Sequence, residues 1–450
     1  MSPRIPSRIR RRVFTDWLRT EIWPLPVMAV AAATGLAVLM PRLDARLLDD
    51  LSPTLATVLF SGGPEAARSV LQTVAGSLIT VTSLTFSLTV VTLQLASGQY
   101  SPRLLRTFAQ DRFVHAALAI LLGTFAYALT VLRTVRGGDD DIAAFVPRLS
   151  VTVAYALTVV SVLTVVGFLA HLAQKIRVES MLRDVHSEGR RTIRHTMSPP
   201  GPIRRTQTPA GPGVVLCAGR SGFLASADED QLLRAADAAD VVISIDRLPG
   251  ASVVAGTPVG KAWHLDGSPV DDSSREALQG KVDAALQMSF ERTAAQDVAF
   301  GLRQITDVAV KALSPSVNDP TTAVHALGHA SALLCEAARH DCEARQVPDG
   351  AGRTRVILAR PSFASLLDLA VVQPRRYGAG EPEVLGRILR LLREVAWAGR
   401  GGDQDALLDQ LARTRAVAAR QDLDEVERSR LERDADLVET AVQGDWPHGA

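Results

Sequence analysis

The chain has 450 residues, 47% of them hydrophobic, with 49 Lys and Arg against 48 Asp and Glu and a formal net charge of +1. That length allows two or three domains, and the near-neutral balance excludes a surface built to hold nucleic acid. The odd set of cysteines, Cys217, Cys335 and Cys342, excludes a disulfide framework, and all three fall in the polar part of the chain. The mean hydropathy of +0.13 hides an uneven sequence: residues 1–172 are mostly apolar and the remainder mostly polar.

Residues 1–21 form a basic arm carrying Arg4, Arg8, Arg10, Arg11, Arg12 and Arg19. The apolar run behind it, residues 22–40, ends in Met40-Pro41-Arg42 without a small-residue cleavage site, so a retained anchor is expected. Trp23 suits the interface, and Pro24 and Pro26 fall in the first turn, where a missing amide proton is least costly. Further spans are expected at residues 70–95, 113–132 and 149–172, each without a formal charge. The connecting loops alternate. Arg103, Arg106 and Arg112 follow the second span, Asp139, Asp140 and Asp141 follow the third, and Lys175, Arg177, Arg183, Arg190, Arg191 and Arg194 follow the fourth. By the positive-inside rule both termini are cytoplasmic, in the inner membrane of a bacterium. His115 and His171 then belong to cytoplasmic span ends, where packing or headgroup contact is the ordinary use.

The second span is unusual. At about 1.5 Å per residue it reaches about 39 Å, longer than the roughly 30 Å hydrocarbon core. It is dense in serine and threonine, whose hydroxyls can bond back to the helix's own carbonyls. At about 100° per residue, Thr73, Ser77, Thr80, Ser83, Ser87 and Gln94 share one arc, and Thr82, Thr85, Thr89 and Thr92 gather opposite. Two readings stay open: small hydroxyl residues that let helices pack closely, or a wet, pore-facing stripe. The absence of Asp, Glu, Lys and Arg from the four expected spans argues against an ion-coupled carrier. The span leads into Gln99-Tyr100-Ser101-Pro102-Arg103, where Ser101 and Pro102 read as a helix start. Leu104, Leu105 and Phe108 would face one way and Arg103, Arg106 and Arg112 another. Gln99, Tyr100, Ser101 and Arg103 are the candidate cytoplasmic mouth; the plainer alternative is an interfacial helix that settles the loop.

Residues 173–213 read as a membrane-proximal helix, expected to continue the fourth span, and a Pro/Gly-rich linker. Residues 214–265 read as a small β-rich module with one helix, for which Ser226 and Glu229 would form a capping box. Gly256 to Ala262 approaches a phosphate loop. It is one residue short between its glycines and has Ala262 where a hydroxyl should hold Mg²⁺, so that reading fails. Residues 274–450 are expected to be mainly helical. One helix ends near Leu313, and the next starts with Asp319 as N-cap and Pro320 behind it. Asn318, Asp319, Thr321 and Thr322 are therefore either a helix–helix corner or an anion site on exposed amides. His325 and His329 have the i, i+4 spacing of a helical metal pair but lack the motif's glutamate, and no metal site is expected. Arg355 to Phe363 reads as a strand, followed by a short helix and an amphipathic one. The tail, residues 403–443, reads as a charged hairpin, solvated or facing another subunit. No nucleophile–base set, redox Cys-x-x-Cys or carboxylate pair emerges, so neither an enzyme nor a cofactor is expected.

Two stretches carry a resemblance. Thr82 to Asp111, with Gln99-Tyr100-Ser101-Pro102-Arg103, and Phe300 to Leu327, with Leu313-Ser314-Pro315-Ser316-Val317-Asn318-Asp319-Pro320, resemble the bacterial membrane-protein family called domain of unknown function 2254. The resemblance spans nearly the whole chain. It implies an integral inner-membrane protein with several N-terminal spans and a soluble C-terminal part, and brings neither an activity nor functional residues. Ser316, where the family tends to have glycine, and Pro374 depart from its pattern. The expected fold is thus a multi-pass α-helical membrane domain of four spans, then an α+β cytoplasmic domain with a small β-rich module and a helical C-terminal part. The expected function is an oligomeric channel or passive conductance with a cytoplasmic vestibule. Its partners are the lipid bilayer and further copies of the chain, without nucleic acid. The alternative is a non-conducting scaffold or sensor whose cytoplasmic domain binds an unknown protein.

Overall fold

The computed structural model describes residues 23–47, 59–99, 111–137, 145–175, 177–199, 213–265, 268, 271–399 and 404–446. They fall into two compact units, residues 1–177 and 178–450.

The first unit holds four helices long and apolar enough to cross a membrane: α1 (Pro24–Leu47), α2 (Pro64–Gln99), α3 (Arg112–Leu132) and α4 (Arg148–Lys175). The hub is α3, which packs against each of the other three. Its Leu118, Leu121, Tyr127 and Val131 are buried, whereas α2 and α4 expose Ile79, Phe86, Leu163 and Val166 as lipid-facing helices do. Small residues set the closest approach: a Cβ on Gly123 would lie 3.6 Å from the Ala29 carbonyl oxygen and 3.7 Å from Ala33 Cβ. Two helices overrun their expected bounds at one end by six residues or more. α1 passes through Pro41, which removes one amide donor without ending the helix, and so brings Arg42 and Asp44 into a helical turn. α2 starts at Pro64, six residues before the apolar run. The correction matters for charge: Asp44 is buried at 1% exposure, so the bundle does hold a carboxylate.

The fourth span does not run on into the next helix. Arg177 N–H donates to Gln174 O at 3.3 Å in a closing turn, and α5 (Val178–Thr196) is a separate element of the second unit. Two sheets follow. Their strands are β1 (Val214–Cys217), β2 (Gly222–Ala227), β3 (Val241–Ile245), β4 (Ser252–Val253), β5 (Pro258–His264), β6 (Leu286–Ser289), β7 (Arg345–Pro348) and β8 (Thr354–Leu358). One sheet has the order β1-β5-β3-β8-β7 and the other β4-β2-β6. β3 pairs antiparallel with β5 and parallel with β8, in register Ile243↔Val356 and Ile245↔Leu358. Residues 214–265 therefore do not close a module by themselves, because β6, β7 and β8 complete the sheets from the chain beyond. α6 (Glu229–Ala239) and α7 (Asp272–Ala285) pack on each other, and Leu232, Ala236, Ile243, Val282 and Val356 share one core. The cap of α6 is Asp228 and not Ser226. Asp228 has extended backbone and accepts from Gln231 N–H at 3.0 Å, while Ser226 stays in β2 and donates to Gln287 Oε1.

The remainder is helical: α8 (Val298–Ala312), α9 (Pro320–Ala337), α10 (Phe363–Tyr377), α11 (Pro382–Gly399), α12 (Gln404–Ala418) and α13 (Glu425–Val442). α8 lies between α5, α9 and α10, and α9 packs on α11. At the α5–α8 crossing two glycines let backbones touch: a Cβ on Gly301 would sit 3.1 Å from Gly189 Cα. The charged tail is a hairpin as expected, but α13 lays Leu431, Ala435, Val438 and Ala441 against α11 and is not merely solvated. Its start carries a full capping box between Asp424 and Glu427.

Candidate functional site

On α2 the two hydroxyl stripes have opposite fates. Thr82, Thr85 and Thr92 keep 6%, 4% and 5% of their exposure and face the bundle. Thr73, Ser77, Thr80, Ser83, Ser87 and Gln94 are all exposed, on the face that the other helices leave uncovered. Leu84 and Val91 fall in the same arc, so the outer stripe is polar but not purely so. Most of these hydroxyls donate to their own helix. Thr73 Oγ1–H donates to Ser69 O at 2.8 Å, Thr80 to Gly76 O at 3.0 Å, Ser77 to Val74 O at 3.1 Å, and Thr85 to Val81 O at 2.8 Å. A hydroxyl whose proton is so engaged is stable in apolar surroundings, yet its oxygen can still accept. The outer stripe therefore offers acceptor lone pairs and, at Gly76, open space with nothing within 4 Å of a built Cβ.

Polar ties hold the bundle at both ends. At one end the Asp44 carboxylate accepts from Leu149 N–H at 2.8 Å, Ser150 N–H at 3.0 Å and Ser150 Oγ–H at 2.7 Å. These are first-turn amides of α4, which lack intrahelical partners, so the side chain of one span caps the N-terminus of another. Tyr127 Oη–H donates to Ser150 O at 3.3 Å beside it. The carboxylate is thus fully engaged and is not a free intramembrane charge. At the opposite end of α3, Asp111 caps that helix by accepting from Phe113 N–H at 2.9 Å, and its other oxygen lies 2.6 Å from His171 Nε2 on α4. The His171 ring rests on Phe113, centroids 4.8 Å apart. Neither pairing was apparent in the sequence. Asp111 before an apolar run is a legible N-cap signal, but the partner in each pair lies on another span.

Of the candidate mouth, Gln99 ends α2 with its side chain outside the described residues, and Tyr100, Ser101 and Arg103 lie outside them altogether. The helix expected across Arg103, Leu104, Leu105 and Phe108 lies outside them too.

In the second unit Asn318 and Asp319 form a corner. Asn318 takes a left-handed conformation at φ 48°, common for asparagine. Its N–H donates to Ser314 O at 2.9 Å, and Asp319 N–H reaches back to Ala312 O at 2.8 Å. The Asp319 carboxylate accepts from Thr322 N–H at 3.0 Å and Thr322 Oγ1–H at 2.6 Å, and these bonds hold it below the usual carboxylate range. It occupies the place that an anion would take, while Thr321 is exposed. The geometry favours the corner. His329 meets His186 of α5 edge to face at 5.4 Å, and burial with His186, His325 and Arg183 nearby lowers its pKa. Among the described residues no group of His, Cys, Asp and Glu is arranged to hold a metal ion.

Four apolar helices, three of them packed on a central one, followed in the chain by an α+β unit, define a multi-pass membrane protein. The chain belongs to the family described as predicted membrane protein (DUF2254), which residues 19–394 match. It is 36% identical over 404 residues to an uncharacterised protein of Mycobacterium tuberculosis strain H37Rv, across 86% of this chain and 74% of the relative. An uncharacterised protein of Mycobacterium bovis matches to the same extent, 36% over 404 residues. No solved structure matches the chain.

Proposed function

We propose that the protein assembles as a homo-oligomer in the bacterial inner membrane and forms a passive conductance, with the outer stripe of α2 around the shared axis. One observation carries the reading: Thr73, Ser77, Thr80, Ser83, Ser87 and Gln94 are exposed on a span whose Thr82, Thr85 and Thr92, on the opposite side, are buried and whose Thr89 is half-buried. A helix that met only lipid on that face would gain nothing from such polarity, whereas acceptor oxygens around an axis can replace part of an ion's water shell. The engagement of Asp44 supports it further, since no free carboxylate is left there to couple transport to protons. Both termini and the second unit are assigned to the cytoplasm, on the strength of the basic arm and the arginines after α2 and α4 against Asp139, Asp140 and Asp141. No enzymatic reaction is assigned.

The experiment is ion flux in proteoliposomes with Ser83→Cys, treated with a charged thiol reagent. Conduction that the reagent blocks in the variant and not in the parent is expected. Vesicles that stay silent with parent protein overturn the reading. The internal hydrogen bonds of Thr73, Ser77 and Thr80 favour a second reading. In it the stripe is only a packing face between copies of a non-conducting sensor, which silent vesicles with oligomeric protein would support.

A further inference from the structure

The parallel pair in the larger sheet ends at a cavity of about 230 Å³. Its walls come from the residues that follow β3 (Arg247 and Leu248), those that follow β8 (Ala359 and Arg360), and the first turn of α8 (Val298 and Ala299). A crevice outside the carboxyl ends of parallel strands is where α/β sheets hold ligands. The walls are preformed. Gly250 sits at φ 86° in the loop after β3, where an added Cβ would lie 1.9 Å from Asp297 Oδ2. That loop is pinned to β2 by Gly250 N–H on Leu224 O at 2.7 Å and Leu224 N–H on Ala251 O at 3.0 Å.

Arg360 gives the cavity its chemistry. Its side chain retains 9% of its exposure and its nearest carboxylate, Glu229, is 4.0 Å away, beyond hydrogen-bond reach. Among the described residues it has no hydrogen-bond partner. Burial pulls its pKa below the ordinary arginine value. The other charges are better provided for. Arg292 clamps Asp297 at 2.5 and 3.1 Å, Arg247 donates to Pro258 O at 3.1 Å, and Arg345 also approaches Glu229, at 3.5 Å. The pairing of Arg360 with Glu229 is therefore long, and the guanidinium's hydrogen bonds are left for something else to complete. Leu224, Leu248, Ile245 and Leu358 give the cavity an apolar wall, and its acceptor side chains other than Glu229 are engaged elsewhere, Asp297 by Arg292 and Gln296 Oε1 by Ala227 N–H.

We propose that this cavity binds a small organic anion, with a carboxylate or phosphate head on Arg360 and a short apolar body against Leu224, Leu248 and Leu358. The site lies wholly in the second unit and is independent of whether the spans conduct. The test is isothermal titration calorimetry of the full chain in detergent, with phenyl phosphate, benzoate and inorganic phosphate as probes. Phenyl phosphate or benzoate is expected to bind, and more tightly than inorganic phosphate, because only they fill the apolar part. Arg360→Met should weaken that binding at least about tenfold through loss of charge-assisted bonds. It should also raise the unfolding temperature without probe, since a largely buried charge that makes no hydrogen bond is removed. Leu248→Trp fills the cavity while sparing Arg360 and should abolish binding too, and Arg353→Gln, on an exposed hairpin, should bind as the parent does. Absence of binding by both organic probes, or binding unchanged in Arg360→Met and Leu248→Trp, overturns the proposal.

Discussion

Two side chains carry testable weight on their own. Asp44 satisfies amides that α4 cannot satisfy itself, and it does so from a residue 105 positions earlier. Asp44→Ala leaves the Leu149 and Ser150 N–H groups buried without an acceptor, and should destabilise the membrane unit by about 1–2 kcal/mol. Asp44→Asn keeps one acceptor oxygen and should recover part of that. Thermal unfolding in detergent, followed by tryptophan fluorescence, ranks the two; equal stability of all three proteins would show that the cap is dispensable. His329 is the second. Its folded pKa lies below the ordinary 6.5 because of burial first and the neighbouring His186, His325 and Arg183 after that. The unfolded chain therefore takes up a proton more readily than the folded one. Stability is full above the ordinary value and falls as pH drops through the window from 6.5 down to the depressed folded value. His329→Gln should flatten that fall between neutral and about pH 5, as read from denaturation midpoints. An unchanged pH profile would remove His329 from the account.

Helix-to-helix contacts explain which parts of the fold could be read early. The four spans and the opposed stripes of α2 follow from local periodicity, which needs no partner to be legible. So do the corner at Asn318 and Asp319 and the hairpin tail, whose caps lie within the segments they end. β6 and β7 were not legible: Leu286–Ser289 and Arg345–Pro348 are four residues each, too short to alternate. Their identity comes from pairing with β2 and β8. The Asp44 cap and the cavity at Arg360 were hidden for the same reason, because each is made by residues that tertiary structure alone brings together. The crossing of α5 and α8 belongs here as well. With 3.1 Å between Gly189 Cα and a Cβ built on Gly301, no side chain fits without parting the helices. Gly301→Leu should cost about 1–3 kcal/mol or more by overpacking, whereas Gly280→Leu, with open space around it, should cost far less. Unfolding midpoints of the two variants decide this, and parity between them would mean that α5 is not docked on α8 as described.

At the scale of the whole molecule, the membrane unit presents two kinds of surface. α4 and parts of α2 expose large apolar side chains such as Leu163, Val166 and Phe86, as a lipid boundary requires. The outer face of α2 carries Leu84 and Val91 too, but it adds small hydroxyl residues and Gly76, which let another backbone come close. Lipid gives such a face no preference over the apolar ones, whereas a second copy of the same helix, as proposed, would pack closely on it. Conducting oligomer and silent oligomer both require that contact, so it can be tested apart from conduction. Cysteines placed at Ser77 and Thr80, on the outer stripe, should form disulfide-linked species between copies when membranes are oxidised. Leu163→Cys, on the lipid-facing side of α4, should not. Cys217, Cys335 and Cys342 lie in the second unit and form no disulfide, so the unmodified chain supplies the background. Bands specific to Ser77→Cys and Thr80→Cys place α2 against α2. Equal cross-linking at Leu163 would mean random collision, and absence of any above background would return the stripe to lipid and remove the shared axis on which conduction depends.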